Sequence, residues 1–195
     1  VARSCFGQPG WRDELDRALA LLRDINPAAR GVLLVYGVNI GWAFGTLRMD
    51  EEILHETAEA LRFAEQLGEG YALDAARCAR GLALVAADPQ SAEGFALLDQ
   101  TREAVVQERF AMPVLAPIDI AFARRRVLEG DRDGAIVALR GIAAGQTAAG
   151  RWLGRGVALS ALAEQLIARG SDDDLREVQA AIDQLQGEQA EPGVV

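Results

Sequence analysis

The sequence predicts an all-α fold in which antiparallel helix pairs stack into a right-handed superhelical solenoid, and three observations predict it. Apolar residues recur at three- and four-residue intervals along nearly the whole chain, the period of a helix with one buried face. Turn chemistry also recurs: Arg48-Met49-Asp50, Ala87-Asp88-Pro89, Glu129-Gly130-Asp131 and Arg169-Gly170-Ser171 follow one another at intervals of 39 to 42 residues. No run alternates apolar and polar residues in the manner of a strand.

Taken in order, the first helix is expected over about Arg12 to Asp24, stopping before Asn26-Pro27. The second covers about Ala28 to Leu47, and Asp50 caps a third from Glu51 to Leu67. Gly68 and Gly70 break that helix, and a fourth runs from Tyr71 to Ala87, where Asp88-Pro89 stops it. Ser91 caps a fifth helix to about Arg109, and Pro113 opens a sixth that ends at Gly130. Asp131 caps a seventh to about Ala144, Gly145 to Gly150 reads as a loop, and an eighth runs from Arg151 to Arg169. Gly170-Ser171 leads into a ninth, from Asp172 to about Leu185.

Two segments repeat each other in kind, AFARRRVLEGDRDGAIVALRGI (121–142) and ALAEQLIARGSDDDLREVQAAI (161–182). Each is a helix, a glycine stop, an acidic cap and a second helix with small and apolar residues on one face. Self-similarity at this period is the mark of tetratricopeptide- or HEAT-like arrays, because one pair cannot bury its apolar stripe and stacking does. The expected organisation is a single helical-repeat domain over 1–186, about four pairs plus an N-terminal helix. Residues 187–195 are expected as a flexible tail or cut end.

Composition removes several function classes. All 20 Lys+Arg positions are Arg, so P-loop, Schiff-base and pyridoxal chemistry have no lysine to use. A formal net charge of −9 opposes general binding to nucleic acid, which relies on cations neutralising phosphates. Cys5 and Cys78 lie far apart with no His or Cys at ligand spacing, so no metal site and no cofactor are expected, and two free thiols of a cytoplasmic protein are the simpler reading. The chain begins at Val1 with no signal-like segment, which reads as an excised piece or processed product. Gly31 to Leu47 is uncharged, with Gly37, Gly41 and Gly45 in two G-x-x-x-G steps. That run falls short of the roughly 20 residues a span needs, so it is expected as a buried helix whose glycine stripe admits another backbone, with no membrane contact.

No catalytic residue is expected. His55 sits among Glu52, Glu56 and Glu59, which suits acid–base work but suits i, i+4 surface pairing better. The four serines include no nucleophile elbow. Arg124, Arg125 and Arg126 point about 100° apart on a helix and form no single basic patch, and Arg125 can pair with Glu129. Asp172, Asp173 and Asp174 meet the positive end of a helix dipole as a cap, without the ligand alternation of a calcium loop. Phe63, Phe95, Phe110 and Phe122 fall among Leu and Ala at core spacing.

Charge divides between alternate helices. The even-numbered ones carry Arg30, Arg77, Arg80, Arg124, Arg125, Arg126, Arg151, Arg155 and Arg169 with few acids beside them, and the odd-numbered ones carry the acidic excess. A solenoid binds on the face its inner helices build, so a relatively positive face would take an acidic peptide or domain surface. Asn39, Trp42, Arg77, Arg80, Arg124, Trp152 and Arg155 are its candidate partner-binding residues. The competing expectation is that these arginines pair with acids of the neighbouring helices. Exposed terminal helices are also expected to allow a homodimer.

The blocks LEGDRDGAIVALRGI and ALAEQLIARGSDDDLREVQAAIDQLQGEQAEPGVV resemble a known family over about Glu51 to Val195. They look like the C-terminal tetratricopeptide-like region of actinobacterial multidomain regulators, in which an adenylate/guanylate cyclase domain precedes an ATPase module; some relatives end in a LuxR-type helix-turn-helix. The motifs are diffuse: a Gly-Asp turn, an Ala-Ile-x-x-Leu helix and a Glu-Pro-Gly end. The resemblance implies a non-catalytic interaction module that docks a partner or holds neighbouring domains of its own chain. It implies, as an alternative, a superhelical domain that senses a small inducer.

Overall fold

The computed structural model describes residues 10–43, 50–68, 70–107 and 115–190, and among them nine helices and no strand occur. They are α1 (Trp11–Ile25), α2 (Pro27–Ala43), α3 (Glu51–Leu67), α4 (Gly70–Ala87), α5 (Ala92–Val106), α6 (Leu115–Leu128), α7 (Arg132–Ala148), α8 (Trp152–Arg169) and α9 (Asp172–Ala190). The all-α expectation holds. The described chain forms two compact units, one through Ala121 and one from Phe122.

Capping explains most boundaries. Asp50, Ser91 and Asp131 each accept a hydrogen bond from the backbone N–H three residues on, at 3.0, 3.1 and 2.9 Å. Asn26 closes α1 through its own N–H to Leu22 and opens α2 by accepting from Ala29, with Pro27 at the first helical position. Ser171 and Asp174 cap α9 reciprocally, each backbone N–H reaching the other's side chain. Glycines with positive φ stop the helices: Gly130 (90°) and Gly150 (65°) close double-bonded Schellman turns, while Gly68 (66°) and Gly170 (77°) each make one bond back.

Two boundaries differ from expectation. Gly145 does not begin a loop; α7 runs on to Ala148, where Gly150 ends it. A glycine inside a helix costs about 1 kcal/mol, which four neighbouring turns outweigh, and only Gly150 adopts the left-handed backbone. Likewise α9 continues past Gly187 to Ala190, carried by the Gln, Glu and Ala around that glycine. Arg48, Met49, Arg109, Phe110, Pro113 and the Glu191-Pro192-Gly193 segment lie outside the described residues.

In the first unit α4 is the central element, packed against α2, α3 and α5. Its Ala72, Ala75, Ala76, Cys78, Ala79, Leu82, Ala83 and Val85 are all buried, as suits a helix with three packed neighbours. Small residues let the backbones close up. A Cβ on Gly81 would lie 3.0 Å from the Gly94 carbonyl oxygen and 2.8 Å from Leu98, and a Cβ on Gly94 would meet Gly81 and Val85. On α2, Gly37 receives the side chain of Leu15 from α1, so one step of the glycine stripe does admit a neighbouring helix; Gly41 is buried and Gly45 lies outside the described residues. No helix among the described residues is long and apolar enough to cross a membrane. The second unit packs α7 on α8 and α8 on α9, around Ile136, Leu139, Ala158, Ala161, Leu162 and Leu166.

Candidate docking surface

The sequence-chosen residues divide between the two units, and the arginines among them are engaged. In the first unit Arg77 bonds Asp74 at 3.1 Å, one turn away on α4. Asp74 is buried at 1 % exposure, so this pair is part of the interior. Arg80 donates to the carbonyl of Leu54 on α3 at 2.7 Å and lies 4.0 Å from Glu93 on α5, tying α4 to both neighbours. Buried Arg30 pairs with Glu56, joining α2 to α3. Asn39 and Trp42 belong to α2, but their side chains lie outside the described residues.

In the second unit Arg124 of α6 meets Glu164 of α8 at 3.2 Å, and Arg125 pairs with Glu129 at 2.8 Å along the helix, as its spacing predicts. Arg126 donates to the Gly134 carbonyl at 3.3 Å. Arg155 is buried. Pairing across helix interfaces, the competing expectation, is thus the arrangement found at Arg30, Arg80 and Arg124. Two consequences follow for the positive-face reading. Arg80 and Arg155 are structural side chains, and a charge reversal at either would disturb packing before it reported on a partner.

Trp152 has the opposite character, at 64 % exposure in the first turn of α8. With about 100° per residue, Leu159, Trp152, Ala163, Gly156, Ile167 and Ser160 fall within an arc of about 100° on this helix. All six are exposed or half-exposed, Ile167 at 57 %, and a Cβ added to Gly156 would meet nothing within 4 Å. The stripe has no charged residue, and the Arg124–Glu164 pair stands at its edge. Sequence reasoning singled out Trp152 for its helix set and overlooked the stripe. The signal was present in WLGRGVALSALAEQLIAR, whose small and apolar residues cover more than the one face that a core contact uses.

Elsewhere the chemistry is quiet. His55 is 67 % exposed and 3.6 Å from Glu59, the i, i+4 surface pairing expected for it. Cys78 is fully buried and free, and burial pushes its thiol up to about 12, so it is no nucleophile in the folded protein; Cys5 lies outside the described residues. No group of three or more His, Cys, Asp or Glu among the described residues could hold a metal ion. Asp172–Asp174 acts at the start of α9 as a cap, with Asp174 buried and salt-bridged to Arg169 at 2.5 Å. No protein-family model, curated protein or solved structure matches this chain.

Proposed function

We propose that this chain is a non-catalytic docking module of a multidomain signalling protein, a tetratricopeptide-like scaffold whose helix pairs stack as a right-handed superhelix. The recurring Gly–acid turns and the resemblance of residues 51–195 to the repeat region of cyclase–ATPase regulators support the scaffold reading. The observation that carries the docking reading is the outward stripe of α8. It presents one exposed tryptophan, a shallow run over Gly156, Ser160 and Ala163, and Ile167 at the far end, beside the ionic Arg124–Glu164 pair. An apolar centre with an aromatic anchor and a polar rim is how protein interfaces are built. The partner is a polypeptide surface, on another protein or on a neighbouring domain of the same chain. It offers an apolar pocket to Trp152.

The test compares the wild type with Trp152→Ala, a surface change that spares the core, in affinity capture from lysate of the source. A partner held by the wild type and lost on the order of tenfold by the variant supports the reading. Equal retention by both sinks it. A rise in melting temperature with small anions or sugars alone would point instead to an inducer-sensing domain.

A further inference from the structure

Helix α9 is attached to its unit by charge more than by apolar burial. Among its described side chains only Asp174 is buried, and Leu175 and Ile182 stay 48 % and 42 % exposed. Two arginines hold it. Arg169, at the end of α8, donates to both oxygens of Asp174 at 2.8 and 2.5 Å and to Asp133 of α7 at 2.6 Å. Arg140, midway along α7, grips both oxygens of Glu177 at 2.8 and 2.5 Å. Asp174 and Glu177 are one turn apart on α9, so the two clamps act on one face. Each is bidentate, the strongest geometry an ion pair has. Yet Arg140 and Glu177 remain about two-fifths exposed, where dissolved salt competes with them.

We propose that α9 is a detachable helix latched by the Arg169–Asp174 and Arg140–Glu177 clamps, released from α7 and α8 by raised ionic strength while those two stay folded. Release uncovers the side of α8 on which α9 rests and frees Arg140 for an acidic group, while Arg169 keeps its bond to Asp133. The scaffold thereby has a state with an additional binding edge. Nothing in this inference depends on the α8 stripe or on Trp152, and each fails separately.

Hydrogen exchange of the full chain, followed by mass spectrometry at about 0.05 M and about 1 M sodium chloride, reads the latch directly. The expected result is that α9 amides exchange about tenfold faster at high salt while those of α7 and α8 hold their protection. Glu177→Gln is expected to give the high-salt pattern at low salt, and the swapped pair Arg140→Glu with Glu177→Arg to restore protection. Peptides of α7, α8 and α9 gaining exchange together would overturn the proposal, as would α9 protection indifferent to salt and to Glu177→Gln. Failure of the swapped pair to recover protection would also count against it.

Discussion

Helices α5 and α9 each follow a short turn and lie against the helix before them, but they are held by different forces. Between α4 and α5 the backbones meet at Gly81 and Gly94, and Phe95, Leu98, Ala104 and Val105 of α5 are buried. Between α8 and α9 the buried residue is a carboxylate, and the contact is built from arginine forks. Apolar interdigitation is indifferent to salt and to mild acid, whereas ion pairs at a surface weaken with both. A scaffold that joins the two kinds of contact has a firm region and a conditional one.

The largest effect that would sharpen this contrast is at Leu98, which is fully buried. Leu98→Ala is expected to cost about 2–5 kcal/mol in urea unfolding, and Leu175→Ala on α9 less than about 0.5 kcal/mol. Similar costs at both positions would break the comparison. Next come the glycines. Gly81→Ala puts a methyl against a backbone carbonyl and is expected to destabilise by about 1–3 kcal/mol in spite of better helix propensity. Gly141→Ala, with open space around it, is expected to stabilise by about 0.5–1 kcal/mol. Asp131→Ala removes the cap of α7 and is expected to lower stability by about 1 kcal/mol, read by thermal melting.

Acid gives a smaller and local effect. Hydrogen bonds from Arg169 hold the Asp174 carboxyl far below its ordinary value, and those from Arg140 lower that of Glu177. The charged groups around them are Asp133, Arg140 and Arg169, with the Ser171 hydroxyl. A depressed carboxylate stabilises the fold above its unfolded pKa, so this contribution shrinks as pH falls below about 4. Asp119 in the first unit has the opposite sign: burial raises its pKa against the pull of Arg102, and acid relieves it. Protection of α9 is therefore expected to fall as the pH drops below about 4, ahead of that of α4 and α5. A uniform loss along the chain would contradict this.

How legible these features were follows from how local their causes are. Helix ends at Asp50, Ser91, Asp131 and Gly170 were readable because a cap acts within three or four residues of itself. The Arg125–Glu129 pair was readable for the same reason. Gly145 misled, since one glycine weakens a helix without ending it, and only the left-handed turn at Gly150 does so. The Arg140–Glu177 and Arg124–Glu164 pairs span 37 and 40 positions, and no local rule marks them. They depend on how the helices pack. The arginines of the even-numbered helices suggested a positive face, and at Arg30, Arg80 and Arg124 partners on other helices gave them structural work.

The central claim is that docking uses the neutral stripe of α8, and salt decides it most directly. Affinity capture by the full chain would be repeated from about 0.05 to about 0.5 M salt, for the wild type and for Trp152→Ala. The account predicts a partner that the wild type retains across the range and the variant loses at every salt. A partner washed off the wild type by salt and kept by Trp152→Ala would contradict it and return the arginines to the interface.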